Sequence, residues 1–210
     1  MIMMLDVSEK YYKEALELIG SRPVHIGHLR TPLTQYKKIK DVPVGVDNGC
    51  FSGKLNKSKF EKIVLEHKSD DNLKFVAMPD VVGDARRTLE LFWYFHWEFK
   101  GYPVALVSQD GLENLDIPWQ HIDCIFVGGT NAFKDSKESM AIAKTAKILG
   151  KWVHVGRVNS PERIKHWMGV ADSFDGSGIA RYRHMLVSAI SVLAGEKNHD
   201  AGLKYEQELF

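Results

Sequence analysis

Two aspartates of this chain follow short apolar runs and precede glycine-containing turns. Asp47 follows the run 42–46 and precedes Asn-Gly, whereas Asp175 follows the run 172–174 and precedes Gly-Ser-Gly. Retaining glycosyl chemistry uses two carboxylates about 5–5.5 Å apart, one as nucleophile at a sugar C1′ and one as acid/base. Asp47 and Asp175 could form such a pair, and carboxylates this close should titrate together, with one pKa raised. For Asp47 alone, a plain turn is an equally good interpretation.

Two further polar side chains follow apolar runs and suit a heterocyclic ligand. Asp80 comes after Met78-Pro79, and a carboxylate there matches the paired N–H donors of a guanine-like edge. The alternative is a turn or capping aspartate, although Asp84 already suits the cap of the following helix. Gln109 can donate and accept together, as recognition of a carbonyl and an N–H on one ring requires.

Glycines, an aromatic ring and an arginine complete the set of candidate ligand contacts. Gly128 and Gly129 follow a buried run and can expose backbone N–H groups to a ligand. Phe51 could cover a flat ligand by stacking, although an isolated aromatic residue is more often part of a core. Arg157, directly after Gly156, could hold an aspartate or contact a phosphate.

The candidate residues named above follow the ends of six apolar runs. These runs are rich in β-branched and aromatic residues and alternate with helical segments. This pattern is typical of parallel strands buried on both faces, whose ligands bind beyond the carboxyl ends. Residues 24–26 add a seventh strand, ending on Gly27-His28, and Ile2–Leu5 could be an eighth, so we predict a compact (β/α)8 TIM barrel. A doubly wound open sheet is the rival, weakened by the lack of glycine-rich nucleotide motifs. The six runs are 42–46, 73–78, 103–107, 122–127, 151–155 and 172–174, and the predicted helices are 8–19, 58–67, 85–99, 137–149, 161–168 and 183–194.

Bulk properties indicate one ordinary globular domain over residues 1–210. The chain is 44% hydrophobic and 26% charged with a net charge of +1, and it has no apolar run near the ~20 residues of a membrane span. Cys50 and Cys124 lack a Cys-x-x-Cys spacing, which favours a reducing, cytoplasmic setting. The nine histidines form no metal-binding motif, so we expect no metal and no other cofactor.

Local basic clusters are the candidate contacts to nucleic-acid phosphates. Clusters of this kind are more often solvated lysines beside compensating acids, and the phosphate-contact interpretation gains support if they flank the strand ends. The candidates are Lys37, Lys38, Lys40, Lys54, Lys57, Arg181 and Arg183.

The order of the motifs that follow the predicted strands resembles that of the tRNA-guanine transglycosylase superfamily. Its members carry Asp-Ser-Gly-Gly-Phe, an aspartate after a strand, Gln-Gly, Gly-Gly, a Val-Gly turn with Thr/Ser-Pro-Glu, and a final Phe-Asp strand. The resemblance spans residues 42–181 and lies in order and spacing rather than in any one motif. The corresponding run is Asp47-Asn-Gly-Cys-Phe51, Asp80, Gln109, Gly128-Gly129, Val155-Gly-Arg-Val-Asn-Ser-Pro-Glu162 and Phe174-Asp175.

This resemblance implies roles for the candidate residues. Asp175 would be the nucleophile and Asp47 the general acid/base near the departing guanine. Phe51 would stack on the base, while Asp80, Gln109 and Gly128-Gly129 would bind its hydrogen-bonding edge. Gly156 and Arg157 would lie in the same binding site.

Departures from the superfamily pattern point to one branch. Cys50 replaces a glycine, the loop after Asp175 is Gly-Ser-Gly, and the zinc-binding subdomain with its three cysteines is missing from this sequence. The chain is more similar to the short phage-type branch, DeoxyPurine in DNA protein A, whose members exchange guanine in DNA for a 7-deazaguanine. That likeness implies DNA and a free 7-deazaguanine base as partners, and a phage-encoded protein acting in the host cytoplasm. Without the zinc subdomain we expect a monomer, and the lack of a long apolar run predicts no contact with a membrane.

Three other functions stay open at the level of sequence. The polymer could be tRNA instead of DNA. The sugar could pass to water, as in a nucleoside or base glycosidase. The barrel could also bind nucleic acid without catalysis, although an aspartate in the position of the nucleophile argues against that.

Overall fold

Eight parallel strands close into a barrel, with each strand hydrogen-bonded to the next along the chain. The structure, a computed structural model, describes residues 1–53 and 55–196. The barrel closes where the first strand pairs with the last, with Met4 opposite Asp175. The predicted closed α/β barrel is therefore confirmed, including the strand at Ile2–Leu5. The strands are β1 (Ile2–Leu5), β2 (His25–Arg30), β3 (Val44–Val46), β4 (Leu73–Ala77), β5 (Val104–Ser108), β6 (Cys124–Val127), β7 (Trp152–Val155) and β8 (Ser173–Asp175).

Helices cover the outside of the barrel, and local sequence signals set their ends. The first helix begins after Ser8, whose side chain accepts from the Tyr11 backbone N–H, and it ends at Gly20 with a positive φ of 56°. Pro161 occupies the first turn of the helix that follows β7, after the capping residue Ser160. The helices are α1 (Glu9–Ile19), α2 (Lys57–Leu65), α3 (Ala85–His96), α4 (Asn131–Lys134), α5 (Lys137–Ile148), α6 (Pro161–Trp167), α7 (Ser177–Arg181) and α8 (Arg183–Leu193).

The predicted strand–helix alternation is wrong at two connections. Residues 31–43, between β2 and β3, contain no α-helix, and the β5–β6 connection has only the short 3-10 turns Leu112–Asn114 and Trp119–His121. Strand β2 also runs beyond Gly27-His28 to Arg30. The extension is stabilised because the buried Arg30 guanidinium donates to Glu66 Oε2 at 2.9 Å and lies 3.1 Å from His67 Nε2.

Alternate strand residues fill the inside of the barrel, and the others pack beneath the helices. The inner set is a separate apolar cluster around Phe75, Val107 and Phe126. Gly45 on β3 faces this interior, where a Cβ would lie only 2.3 Å from the Phe75 ring, so the absent side chain makes room for that ring. The barrel is therefore packed below its mouth, and open space remains at the carboxyl ends of the strands. None of the described helices combines the length and apolar character needed to cross a membrane.

Candidate active site

The barrel mouth contains a hollow of about 420 Å³, open to solvent, that brings together the candidate substrate-contacting residues. These residues come from the ends of six strands that are far apart in sequence, and barrel closure brings the strand ends together. Asn48, Val82, Val107 and Phe126 complete the lining. The predicted residues on this wall are Asp47, Phe51, Asp80, Gln109, Gly128, Gly129, Gly156, Arg157 and Asp175.

A larger hollow adjoins the first on the side of β1, β2 and β8. It encloses about 1610 Å³, including open solvent, and shares Asp47, Phe51, Arg157 and Asp175 with the smaller hollow. Its other polar and aromatic lining comes from the start of α1, the 31–43 loop and α7. The two candidate catalytic carboxylates, Asp47 and Asp175, thus line both the smaller and the larger hollow. That further lining includes Asp6, Ser8, Tyr11, Thr31, Thr34, Tyr36, Ser177 and Arg181.

Asp47 is the carboxyl group at the mouth whose protonation is most strongly perturbed. Burial, and to a lesser extent the nearby charge of Asp175, raise its pKa to about 7. The Gly49 backbone N–H, which donates to Asp47 Oδ1 at 3.3 Å, offsets part of this effect. A carboxyl group with a pKa near neutrality can both give and take a proton, which is what an acid/base residue must do.

Asp175 is held by donors on both of its oxygens. His154 Nε2 lies 3.0 Å from Oδ2, and the Arg157 backbone N–H donates to Oδ1 at 3.2 Å. Arg157 has a positive φ of 59°, a conformation that costs a non-glycine residue roughly 1–2 kcal/mol. Its N–H reaches Asp175 from this backbone conformation, and the next residue, Val158, donates to the Asp175 carbonyl at 2.6 Å. The β7 end and the β8 end are thereby joined directly at the carboxylate.

Asp80 lies across the hollow and accepts hydrogen bonds from two side-chain amides. Asn48 Nδ2 donates to Oδ1 at 2.8 Å, and Gln109 Nε2 donates to Oδ2 at 2.6 Å. Gln109 Oε1 accepts the Gly83 backbone N–H at 2.9 Å, which fixes the amide orientation because a carboxylate only accepts and an N–H only donates. Burial raises the pKa of Asp80, whereas the two amides and Arg157 lower it. Asn48 thus contributes to the site, although its sequence context indicated only a turn.

Gly128 leaves space in the hollow that no other residue would leave. A Cβ at this position would lie 2.8 Å from Val107 Cγ1 and 3.0 Å from Gln109 Nε2. Any side chain would therefore displace the Gln109 amide or fill the hollow. The close approach of the backbone is what a planar ligand against this wall needs.

Phe51 and Arg157 form the outer edge of the hollow. The Phe51 ring is 60% exposed, and the Arg157 guanidinium carbon lies 4.0 Å from its centroid. Arg157 also donates from Nη2 to the Gly129 carbonyl. An exposed ring with one face against a cation can stack on a flat ligand with little reorganisation.

Two ionisable side chains near the mouth were missed in the sequence. Asp6 follows β1, accepts from Thr34 Oγ1 at 2.5 Å, and has its pKa raised to about 6, chiefly by burial. Lys134 on α4 is buried and donates to the Gly156 carbonyl at 2.9 Å, and burial lowers its pKa to about 8. For Asp6 the signal was available, since residues 2, 4 and 6 follow the inward alternation of β1.

The structure places the predicted phosphate contacts in different surroundings. Arg181 lines the larger hollow, whereas Lys37 and Lys40 in the 31–43 loop and Arg183 at the start of α8 are exposed and do not line it. Lys38 forms an ion pair with Asp70 at 2.6 Å, and Lys57 forms one with Glu98 at 2.9 Å. Lys54 lies outside the described residues. Of the described set, only Arg181 touches the candidate site directly.

Comparison with protein-family models and with curated proteins found no match to this chain. The described residues contain no group of three or more His, Cys, Asp or Glu side chains that could hold a metal ion.

Proposed function

We propose that this protein exchanges guanine in DNA for a 7-deazaguanine base through a covalent aspartyl–sugar intermediate. One observation carries the proposal: Asp47 and Asp175 line the same hollow as Asp80 and Gln109. Two carboxylates of unequal environment suit glycosyl transfer, and an acidic, amide-rich wall suits a guanine-like edge. The resemblance to the transglycosylase superfamily in residues 42–181 supports the same assignment.

The proposed reaction has two displacements at the same sugar carbon. An Asp175 oxygen attacks C1′ of the target nucleotide, the bond from C1′ to the base nitrogen breaks, and its electron pair leaves with guanine. Asp47 gives a proton to the departing base. An incoming 7-deazaguanine then loses its ring N–H proton to Asp47, and its nitrogen displaces Asp175 from C1′. The net change is one base for another, with Asp47 and Asp175 restored.

The base would bind in the smaller hollow. Asp80 keeps lone pairs beyond those used by Asn48 and Gln109, so it can accept from two adjacent N–H groups of a guanine edge. Gln109 has one amide N–H left to donate after its contact with Asp80. Phe51 would stack on the free face of the ring, which adds roughly 1–3 kcal/mol per stacked base.

The larger hollow would hold the sugar and the chain on either side of it. It opens directly from the face of Asp175 and carries exposed Tyr11 and Tyr36 rings together with the cationic Arg181. The target nucleotide must leave a duplex to reach this position, at a cost of a few kcal/mol in unstacking. Aromatic rings and a cation along an open groove are what an extruded or single-stranded segment requires.

Base exchange measured on DNA and on tRNA in parallel tests the proposal. Labelled guanine should leave DNA as 7-cyano-7-deazaguanine enters, and Asp175→Asn should abolish both events. Activity on tRNA alone would show that the substrate is tRNA and not DNA. Guanine loss without uptake of a deazapurine would indicate a hydrolytic glycosidase. Nucleic-acid binding without guanine loss or deazapurine uptake would indicate a barrel that binds nucleic acid without catalysis.

A further inference from the structure

A histidine outside the predicted site makes direct contact with the proposed nucleophile. His154 lies on β7 with its side chain fully buried inside the barrel. Its ring lies between two phenylalanines, with centroids 4.5 Å from Phe75 and 4.5 Å from Phe126. The imidazole therefore has no freedom to turn away from Asp175, whose Oδ2 lies 3.0 Å from Nε2.

The other ring nitrogen belongs to a chain of hydrogen bonds whose direction can be assigned. Trp152 Nε1 lies 2.8 Å from Ser173 Oγ, and an indole N–H can only donate. Ser173 Oγ accepts from Trp152 and still has its own proton available to donate to His154 Nδ1, 2.9 Å away. With Nδ1 accepting, the imidazole proton is on Nε2 and points at Asp175. A carboxylate oxygen only accepts, so the contact with Asp175 places the proton of a neutral imidazole on Nε2, and the Ser173 hydroxyl matches this tautomer by donating to Nδ1.

We propose that His154 is a positioning residue for the Asp175 nucleophile, with its tautomer set by Trp152 and Ser173. This inference rests on the proposed function, since it assigns a role in the attack on C1′. The chain begins on β7 and crosses to β8, where Ser173 and Asp175 both face the barrel interior. His154 and Ser173 are fully buried and Trp152 is partly buried, so the donor is in place before substrate arrives.

The geometry gives this donor a specific task. The Arg157 backbone N–H holds Oδ1, and His154 holds Oδ2, so the plane of the carboxylate is fixed by two donors, one on β7 and one in the turn that follows it. Attack requires the reacting atoms to approach to about 3–3.5 Å with aligned orbitals. When the incoming base displaces the sugar, negative charge returns to the carboxylate, and a preorganised donor stabilises it at no cost in reorganisation.

A pair of amide substitutions tests the role without changing the polarity of the site. Glutamine places its amide nitrogen near the position of Nε2, whereas asparagine places its amide near Nδ1. His154→Gln should therefore keep a donor on Asp175, and His154→Asn should keep only a contact to Ser173. We expect His154→Asn to slow formation of the covalent adduct by about 10- to 100-fold, with His154→Gln substantially closer to wild type. Binding of DNA and of free base should be equal in both variants.

Equal adduct rates in the two variants, with wild type active, would overturn the inference and leave the proposed function standing. Failure of wild type to form any adduct would overturn the proposed function itself, and with it the role of His154. If the variants fold poorly, the inference can be tested on the wild-type protein without turnover. The 15N NMR spectrum of wild type should show His154 with a protonated Nε2 and an unprotonated Nδ1, and the opposite tautomer would also overturn the inference.

Discussion

Asp47 and Asp175 lie on the shared wall of two adjoining hollows, and the charge of Asp175 helps to raise the pKa of Asp47 to about 7. This relationship gives the two carboxylates different tasks. The group that holds its proton near neutral pH is suited to protonate a leaving base, and its neighbour, fixed by two donors, is suited to attack. Environments that separate the behaviour of paired carboxylates are a recurring basis for assigning acid and nucleophile.

Release of guanine should lose rate as pH rises through about 7, the pKa of Asp47. The departing base needs the proton of Asp47, and the protonated fraction falls about tenfold per pH unit above the pKa. Single-turnover guanine release, measured from pH 5 to 9, checks this expectation. Asp47→Asn should remove this pH dependence together with most of the rate. A wild-type rate that rises steadily through this range would exclude Asp47 as the acid.

Asp47→Asn should stabilise the fold at alkaline pH. The pKa of Asp47 in the folded protein, about 7, exceeds its ordinary value of 3.8, so the folded state binds more protons than the unfolded chain between those pH values. The free energy of unfolding contributed by Asp47 therefore falls as pH rises through this window. At pH 8 the variant should gain on the order of 2 kcal/mol after allowance for solvent screening, and at pH 4 it should gain little. Urea unfolding at both pH values measures the difference, and an equal gain at both would contradict the assignment.

The sequence allowed the fold to be predicted because its local signals agree with each other. Ser8 and Gly20 bound α1, and Ser160-Pro161 begins α6, as their capping chemistry requires. The alternation failed between β2 and β3, where residues 31–43 form an irregular loop that lines the larger hollow. Such a loop carries no periodic pattern, so its path depends on tertiary contacts such as that of Thr34 with Asp6.

Asn48→Ala should weaken binding of the free base. The Asn48 amide donates to Asp80 Oδ1 at 2.8 Å and to the Met78 carbonyl at 2.8 Å, so its loss frees the carboxylate to turn. Loss of a buried hydrogen-bonding partner typically costs about 1–3 kcal/mol, which corresponds to roughly 5- to 150-fold in affinity. Calorimetry with guanine measures the effect, with Asn114→Ala at an exposed position as the matched control. Equal affinities in the two variants would show that Asp80 does not hold the base.

Arg181→Ala should reduce the salt dependence of DNA binding. Arg181 lines the larger hollow, and loss of one phosphate contact lowers the slope of log affinity against log salt by about 0.7 to 0.9. Lys57→Ala is the control, because Lys57 is already paired with Glu98 and Glu61 and should leave the slope unchanged. Titrations of a single-stranded oligonucleotide at several salt concentrations give both slopes. A larger change for Lys57→Ala would place the nucleic acid on another face.

The residues that follow the predicted strands include most of the candidate site, but the contacts between side chains on different strands could not be predicted from the sequence. In strands buried on both faces, apolar residues give no sign of which side faces the interior. His154 lies inside β7, and its contact with Asp175 depends on which face of that strand points inward. Asn48 was interpreted as part of a turn, and its bond to Asp80 spans two strands.

Covalent attachment of Asp175 to a sugar can be detected by trapping the intermediate. Protein is incubated with guanine-containing DNA, denatured rapidly, digested and analysed by mass spectrometry. We expect a peptide carrying the DNA adduct at Asp175, with free guanine released, and no adduct for Asp175→Asn. Base exchange without an adduct at Asp175, or an undiminished adduct in Asp175→Asn, would contradict this expectation.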